Sequence, residues 1–137
     1  MFCRICLAET NYTEIDYKVL SAREFPQLES IYNAYCEYKQ FESQVPLFVE
    51  EFENPLTETI GYYDKETLVA FSLIYLYPSK KSCMAEQFAW NYENKKLKLG
   101  YRSIRSECAR YKRLGYEYLY LGEIAGYKKE LQGFEVT

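Results

Sequence analysis

A chain of 137 residues fits one domain and is long enough to bury a core; it has no apolar run of the ~18 residues that a membrane span needs, and its five scattered cysteines, an odd number, point to a reduced, cytoplasmic setting. It contains no histidine, which excludes Ser-His-Asp and Cys-His catalysis and leaves Glu, Asp, Tyr, Lys, water or a terminus as the proton acceptor. The formal net charge of −3 hides two unlike regions: residues 1–64 hold four Lys/Arg against twelve Asp/Glu, whereas residues 94–113 hold eight Lys/Arg against Glu107 alone.

In chain order, residues 2–8 predict a short first strand, and the opening Met-Phe-Cys-Arg-Ile-Cys lacks the layout of a secretory leader. Cys3 and Cys6 have the spacing of a metal or redox pair, but no second such pair and no histidine completes a zinc site. Residues three apart on a strand also point to opposite faces, so both cysteines read as structural, with no metal expected. A polar loop follows. Residues 23–40 predict a helix with Ser21 as N-cap, Glu24 closing a capping box, and Leu28, Ile31, Tyr32 and Tyr35 as the apolar stripe. A second helix is expected over 43–53, with Phe48, Val49 and Phe52 inward and Pro55 as its stop.

Three strands come next, at about 57–63, 67–77 and 82–91. Asp64-Lys65-Glu66 reads as a hairpin between the first two, and Pro78-Ser79-Lys80-Lys81 as the turn before the third. After a basic loop, Leu97, Tyr101, Ile104, Cys108 and Tyr111 recur at a helical period. Gly115 stands where a left-handed C-cap is wanted, and Lys112 and Arg113 suit the negative end of the helix dipole. Residues 116–121 alternate tyrosines with other side chains, as a strand does. One helical turn at 126–131 and a stub strand at 134–136 close the chain, which has no repeat, linker or low-complexity segment and reads as a single domain over 1–137.

A helix N-terminus behind a strand and turn is a ready anion site. Lys95, Lys96 and Lys98 cluster at that positive end, where the dipole alone would favour acids. The local charge therefore argues for a polyanionic partner, against the plainer reading of a solvated helix face.

The order β-α-α-β-β-β-α-β, with an antiparallel central meander and a phosphate-facing turn before the long third helix, resembles the GNAT acyltransferase fold. That resemblance implies an α+β domain: a mostly antiparallel twisted sheet of about six strands flanked by three or four helices. The usual acyl-CoA loop of that superfamily, Gln/Arg-x-x-Gly-x-Gly/Ala, corresponds here to Lys95-Lys96-Leu97-Lys98-Leu99-Gly100. Only the last glycine remains, and the Lys98 side chain would crowd the amides that cradle a pyrophosphate.

From Trp90 to Gly122 the chain is similar to the C-terminal GNAT-type domain of arginyl- and leucyl-tRNA–protein transferases. Their Tyr-Asp-Pro, five residues, then Ser-Leu-Gly is met by Trp90-Asn91-Tyr92, five residues, then Lys98-Leu99-Gly100. Their Leu-Gly is met by Leu114-Gly115, and their Tyr-Leu-Tyr-Leu-Gly by Tyr118-Leu119-Tyr120-Leu121-Gly122. The chain departs from the family afterwards, reaching Tyr127-Lys128 several residues early, and the cysteine-rich N-terminal domain has no counterpart in it.

The resemblance implies aminoacyl transfer from a charged tRNA to a protein or peptide amine, with the aminoacyl-tRNA as donor and no further cofactor. On that reading Lys95, Lys96 and Lys98 take phosphates together with the amides of Gly100 and Tyr101, and Arg102 and Arg105 extend the track along the RNA. Gln87 and Asn91 hold the carbonyl or the acceptor, and Trp90 is either core or a stacking surface for the terminal adenine. Glu123 is the candidate general base, and Tyr120 or Tyr127 the proton donor. Two other classes stay open: an N-acetyltransferase using acetyl-CoA in the same cleft, and a non-catalytic module that holds RNA or an acidic partner. The short C-terminus leaves an edge strand, so a homodimer is a further expectation.

Overall fold

In the computed structural model the described residues are 2–41, 45–92, 95–123 and 126–137, and the side chains of Lys95, Glu123 and Tyr127 lie outside that description. Seven strands, β1 (Phe2–Cys6), β2 (Lys18–Leu20), β3 (Thr57–Asp64), β4 (Thr67–Tyr77), β5 (Ser82–Trp90), β6 (Tyr118–Glu123) and β7 (Phe134–Val136), form one sheet in the order β2-β3-β4-β5-β6-β1-β7. Every described pairing is antiparallel except β5 with β6. A parallel pair needs a crossover connection, and the long helix α3 (Leu99–Arg113) supplies it.

The capping box forms as the spacing of Ser21 and Glu24 requires: the Ser21 amide donates to the Glu24 carboxylate at 3.0 Å, and the Arg23 amide to the Ser21 hydroxyl at 3.3 Å. It opens a 3-10 turn that runs into α1 (Phe25–Lys39), which buries Leu28, Ile31, Tyr32 and Cys36. Helix α2 is shorter than expected, Val49–Glu53, with Phe52 buried and Phe48 exposed. Pro46 explains the loss, because it lacks an amide donor and disfavours helical geometry at the residue before it; positions 42–44 of the expected helix lie outside the described residues.

Helices α1 and α2 pack with Phe71, Leu73 and Ala89, while α3 packs on the opposite face with Ile60, Tyr62, Ala70, Ile74, Leu119 and Leu121. The sheet has one strand more than expected because β2, inside the segment that reads as a polar loop, pairs with β3 from Lys18↔Gly61 to Leu20↔Thr59. The N-terminal β1 is an inner strand, between β6 and β7, and β7 completes the sheet within the same chain. Both edge strands, β2 and β7, are three residues long, which limits the open edge offered to another chain.

Helix α3 is rotated from its apolar stripe. Tyr101 is exposed, and the buried face is Leu99, Ser103, Ser106, Glu107, Cys108 and Tyr111. Its end is a Schellman motif: Gly115, at φ 94°, donates to the Lys112 carbonyl at 3.0 Å, and Tyr116 to that of Tyr111 at 2.9 Å. That second bond ties the Tyr116 amide to the helix, so β6 starts at Tyr118, two residues later than the alternation suggests.

Candidate active site

Strands β5 and β6 pair only at Ser82↔Tyr118, Cys83↔Leu119 and Met84↔Tyr120. Beyond Met84, β5 follows β4 to Trp90 while β6 follows β1 to Glu123. A register shift opposite Leu73/Ile74 leaves Glu86 as the extra residue of β5, a bulge at the point of divergence. The gap is a cleft of about 200 Å³. Ala85 to Phe88 form one wall, Leu121 and Lys128 the other, and Gly100, Ser103 and Ile104 of α3 close it from above. Ser72 and Glu107 lie at its base.

Glu107 is the acid that the sequence reading passes over. Its carboxylate is buried, and its Oε2 accepts hydrogen bonds from the Tyr62 hydroxyl and, at 2.7 Å, from the Ser72 hydroxyl. Burial pushes its pKa up to about 7, against the opposing pull of these two bonds. Burial likewise raises Tyr62, Tyr111, Cys83 and Cys108, so each is protonated at neutral pH. A signal for Glu107 existed. It is the lone acid of the basic segment, three residues after Ile104 and four before Tyr111, on the side of the helix that must pack.

The N-terminus of α3 opens onto this cleft at Gly100. Lys98 is its N-cap, in the left-handed conformation at φ 46° and ψ 43°, so the backbone keeps a glycine-like turn while the residue carries a cation. The Leu99 amide donates to the Tyr92 hydroxyl at 3.3 Å, and the Tyr101 amide to the Lys98 carbonyl at 3.1 Å. Arg102 donates to the Leu97 carbonyl at 3.2 Å. The Arg105 guanidinium lies 4.4 Å from the centre of the Tyr101 ring and 5.6 Å from that of Tyr12, with its Nε buried and, among the described residues, unbonded. Arg102, Arg105 and Tyr12 line a second depression of about 280 Å³. The other end of the helix is engaged internally: Arg110 with Glu58, Lys112 with the Thr10 carbonyl, and Arg113 with Glu14.

Of the residues expected at the site, Gln87 and Gly100 line the cleft together. Lys96 and Lys98 are exposed at the head of α3. Trp90 lies among rings, 5.5 Å from Tyr35 and 4.9 Å from both Tyr38 and Tyr92. Asn91 is exposed, its amide donating to the Val69 carbonyl at 2.7 Å. Tyr120 belongs elsewhere: alternation along β6 turns Leu121 to the cleft and Tyr120 to a groove of about 430 Å³, where its hydroxyl accepts from Arg4 at 3.1 Å. The side chains of Lys95, Glu123 and Tyr127 are outside the described residues. Among those described, one trio of donor groups is close enough to share an ion, Cys6, Glu9 and Glu135 within 4.8 Å, and Arg4 already binds Glu135 at 2.9 Å.

A sheet parted between two parallel strands, with a helix N-terminus at the opening, is the architecture of the GNAT acyltransferases. A Novosphingobium aromaticivorans protein described as a GNAT-family acetyltransferase superposes with a TM-score of 0.66 at 16% identity, covering 99% of this chain and 59% of that one. The ribosomal-protein-alanine N-acetyltransferase of Brucella melitensis gives 0.64 at 12% identity, covering 85% and 91%. The C-terminal domain of an Agrobacterium fabrum protein described as a lysylphosphatidylglycerol synthetase gives 0.65 at 11%, covering 88% of this chain, which spans only 45% of that one. At such identities the likeness is one of fold. The profile of the family described as arginine-tRNA-protein transferase, C terminus, matches residues 24–132, most of the chain, and the chain belongs to that family. No curated protein sequence matches. Among the described residues no helix is long and apolar enough to cross a membrane.

Proposed function

We propose that this domain transfers an aminoacyl group from the 3′ end of a charged tRNA to the amine of a peptide or protein. The observation that carries the reading is the head of α3, where Lys98 occupies the left-handed N-cap and Gly100 opens onto the cleft. Lys96, Lys98, Arg102 and Arg105 offer a cationic track outside, suited to a phosphate backbone. A cleft of about 200 Å³ suits the aminoacyl end; a pocket enclosing a cofactor-sized ligand is roughly 300–1,000 Å³. The ester is already activated, so the protein's task is to position the two reactants, steady the oxyanion and move one proton. Glu86 and Glu107 at the cleft suit an amine acceptor, which attacks in its neutral form.

The test is transfer of labelled amino acids from a charged tRNA pool to a peptide with a free N-terminus. Label appears in the peptide, and acetyl-CoA in place of the tRNA leaves the peptide unmodified. Acetylation from acetyl-CoA with no transfer from charged tRNA overturns the reading in favour of an N-acetyltransferase.

A further inference from the structure

Turning an oxygen ester and an amine into an amide requires one proton to leave nitrogen and one to reach the departing oxygen. An alkoxide is a poor leaving group, so a donor bound through ribose oxygen needs a group that gives a proton as well as one that takes it. This requirement follows from the transfer reaction proposed above.

Glu107 sits where one group can do both. Its two hydrogen bonds, from Tyr62 on β3 and Ser72 on β4, both fall on Oε2. Among the described residues Oε1 has no hydrogen-bond partner, and Glu107 is one of the residues that line the cleft. Among the described residues, the titratable groups around it are Tyr62 on β3, Cys83 and Glu86 on β5, Cys108 and Tyr111 on α3, and Lys128 after β6. Tyr62, Cys83, Cys108 and Tyr111 are held protonated by burial, so among the described residues that line the cleft the acids and bases are Glu86, Glu107 and Lys128. Lys128, whose ammonium donates to the Leu121 carbonyl at 2.9 Å, brings a cation to the wall facing Glu86 and Gln87.

We propose that Glu107 is the proton carrier of the cleft: its Oε1 takes a proton from the attacking amine and returns it to the ribose oxygen. The nitrogen lone pair forms the new bond to the carbonyl carbon, the carbonyl electrons move to oxygen and back, and the carbon–oxygen ester bond breaks. The ribose leaves as a hydroxyl bearing the proton that came from the amine, so atoms and charge balance with no co-reactant. Ser72 and Tyr62 are positioning residues that fix the carboxyl rotamer. Glu123, the acid favoured from sequence, is not needed for this route.

The test compares pH–rate profiles of aminoacyl transfer at saturating charged tRNA. Wild-type protein shows an inflection near pH 7 beside the acceptor's own titration, which lies near 8 for an α-amino group. Glu107→Gln lowers turnover by about 10²–10⁴ and loses the inflection near 7, with tRNA affinity unchanged and melting no lower than wild type. Ser72→Ala removes one bond to the ionised form and moves that inflection upward by about one unit, leaving the acceptor's titration in place. The upward shift supports the proposal even if Glu107→Gln does not fold. A Glu107→Gln protein with wild-type turnover, or a Ser72→Ala profile identical to wild type, overturns the Glu107 role while the transfer reaction stands. A wild-type protein inert toward charged tRNA overturns the transfer reaction, and the Glu107 role with it.

Discussion

Arg110 meets Glu58 through two bonds, Nε to Oε1 at 3.0 Å and Nη2 to Oε2 at 2.8 Å, and the Tyr111 hydroxyl adds a third to Oε1 at 2.7 Å. This pair ties the basic helix to the acidic first half of the chain. Together with Arg113 on Glu14 it shows that the charge asymmetry of the sequence is partly internal, neutralised on folding. Lys98, Arg102 and Arg105 form no ion pair among the described residues, and they stand at the end of α3 that opens onto the cleft.

Removing Arg110 leaves a carboxylate largely out of water with one hydroxyl for company. Because the pair is only 12% and 21% exposed, Arg110→Ala costs about 3 kcal/mol, the low end of what breaking a buried pair costs. Urea unfolding reads this as a lower midpoint at unchanged m value. Binding of tRNA is unaffected.

Glu107 and Glu14 give stability opposing pH limbs that meet near the ordinary carboxylate value of 4.5. Glu107 is pushed up to about 7 in the fold from an ordinary 4.5, so between those values the folded chain holds a proton that the unfolded chain has released. Stability is full below the unfolded value and falls as pH rises through that window, by on the order of 3 kcal/mol. Glu14 acts in the opposite sense. Bonds from Arg113 and Tyr17 hold it at about 2, so its contribution is present above the ordinary carboxylate range and lost as pH falls toward 2. Chemical denaturation across pH 3–8 shows both limbs, and Glu107→Gln flattens the alkaline one.

Lys98 holds a conformation that an L-residue adopts at a cost of about 1 kcal/mol. Lys98→Gly therefore raises stability by about that much, roughly 3–5 °C in Tm for a domain of this size. A natural lysine that lowers stability fits a functional use of its charge. A fall in Tm contradicts this.

Gly133 is the opposite case. At φ 72° it lies against β1, where an added Cβ meets the Cys6 carbonyl oxygen at 2.4 Å. The Cys6 amide also donates to the Gly133 carbonyl at 2.8 Å, so the two backbones cannot separate without losing that bond. Gly133→Ala costs at least about 2 kcal/mol, seen as a lowered melt.

The meander was readable because its turns carry their own signals. Asp64-Lys65-Glu66 and Pro78 to Lys81 punctuate strands whose observed bounds differ from the expected ones by a residue at most. Three features were hidden for physical reasons. Strand β2 is three exposed or half-buried residues, held by pairing to β3 across a long sequence gap, which no local pattern encodes. The short α2 reflects Pro46 prevailing over apolar spacing. Helix α3 buries Ser103 and Glu107 in place of Tyr101 because its packed face is also the roof and base of a polar cleft, and it buries Ser106, whose hydroxyl accepts from the Ile15 amide at 3.0 Å. Periodicity assumes that the packed face is apolar, so a buried catalytic candidate is the residue it misplaces.

The most direct measurement is the salt dependence of tRNA binding, which reads whether the head of α3 seats the donor. Lys96, Lys98, Arg102 and Arg105 give a log–log slope of about −3 if each meets a phosphate of single-stranded character. Lys98→Glu with Arg102→Glu cuts that slope by about half and weakens binding, while Arg113→Gln at the far end leaves it unchanged. Equal slopes in all three proteins, or no tRNA binding alongside a clear rise in Tm with acetyl-CoA, would contradict the tRNA reading.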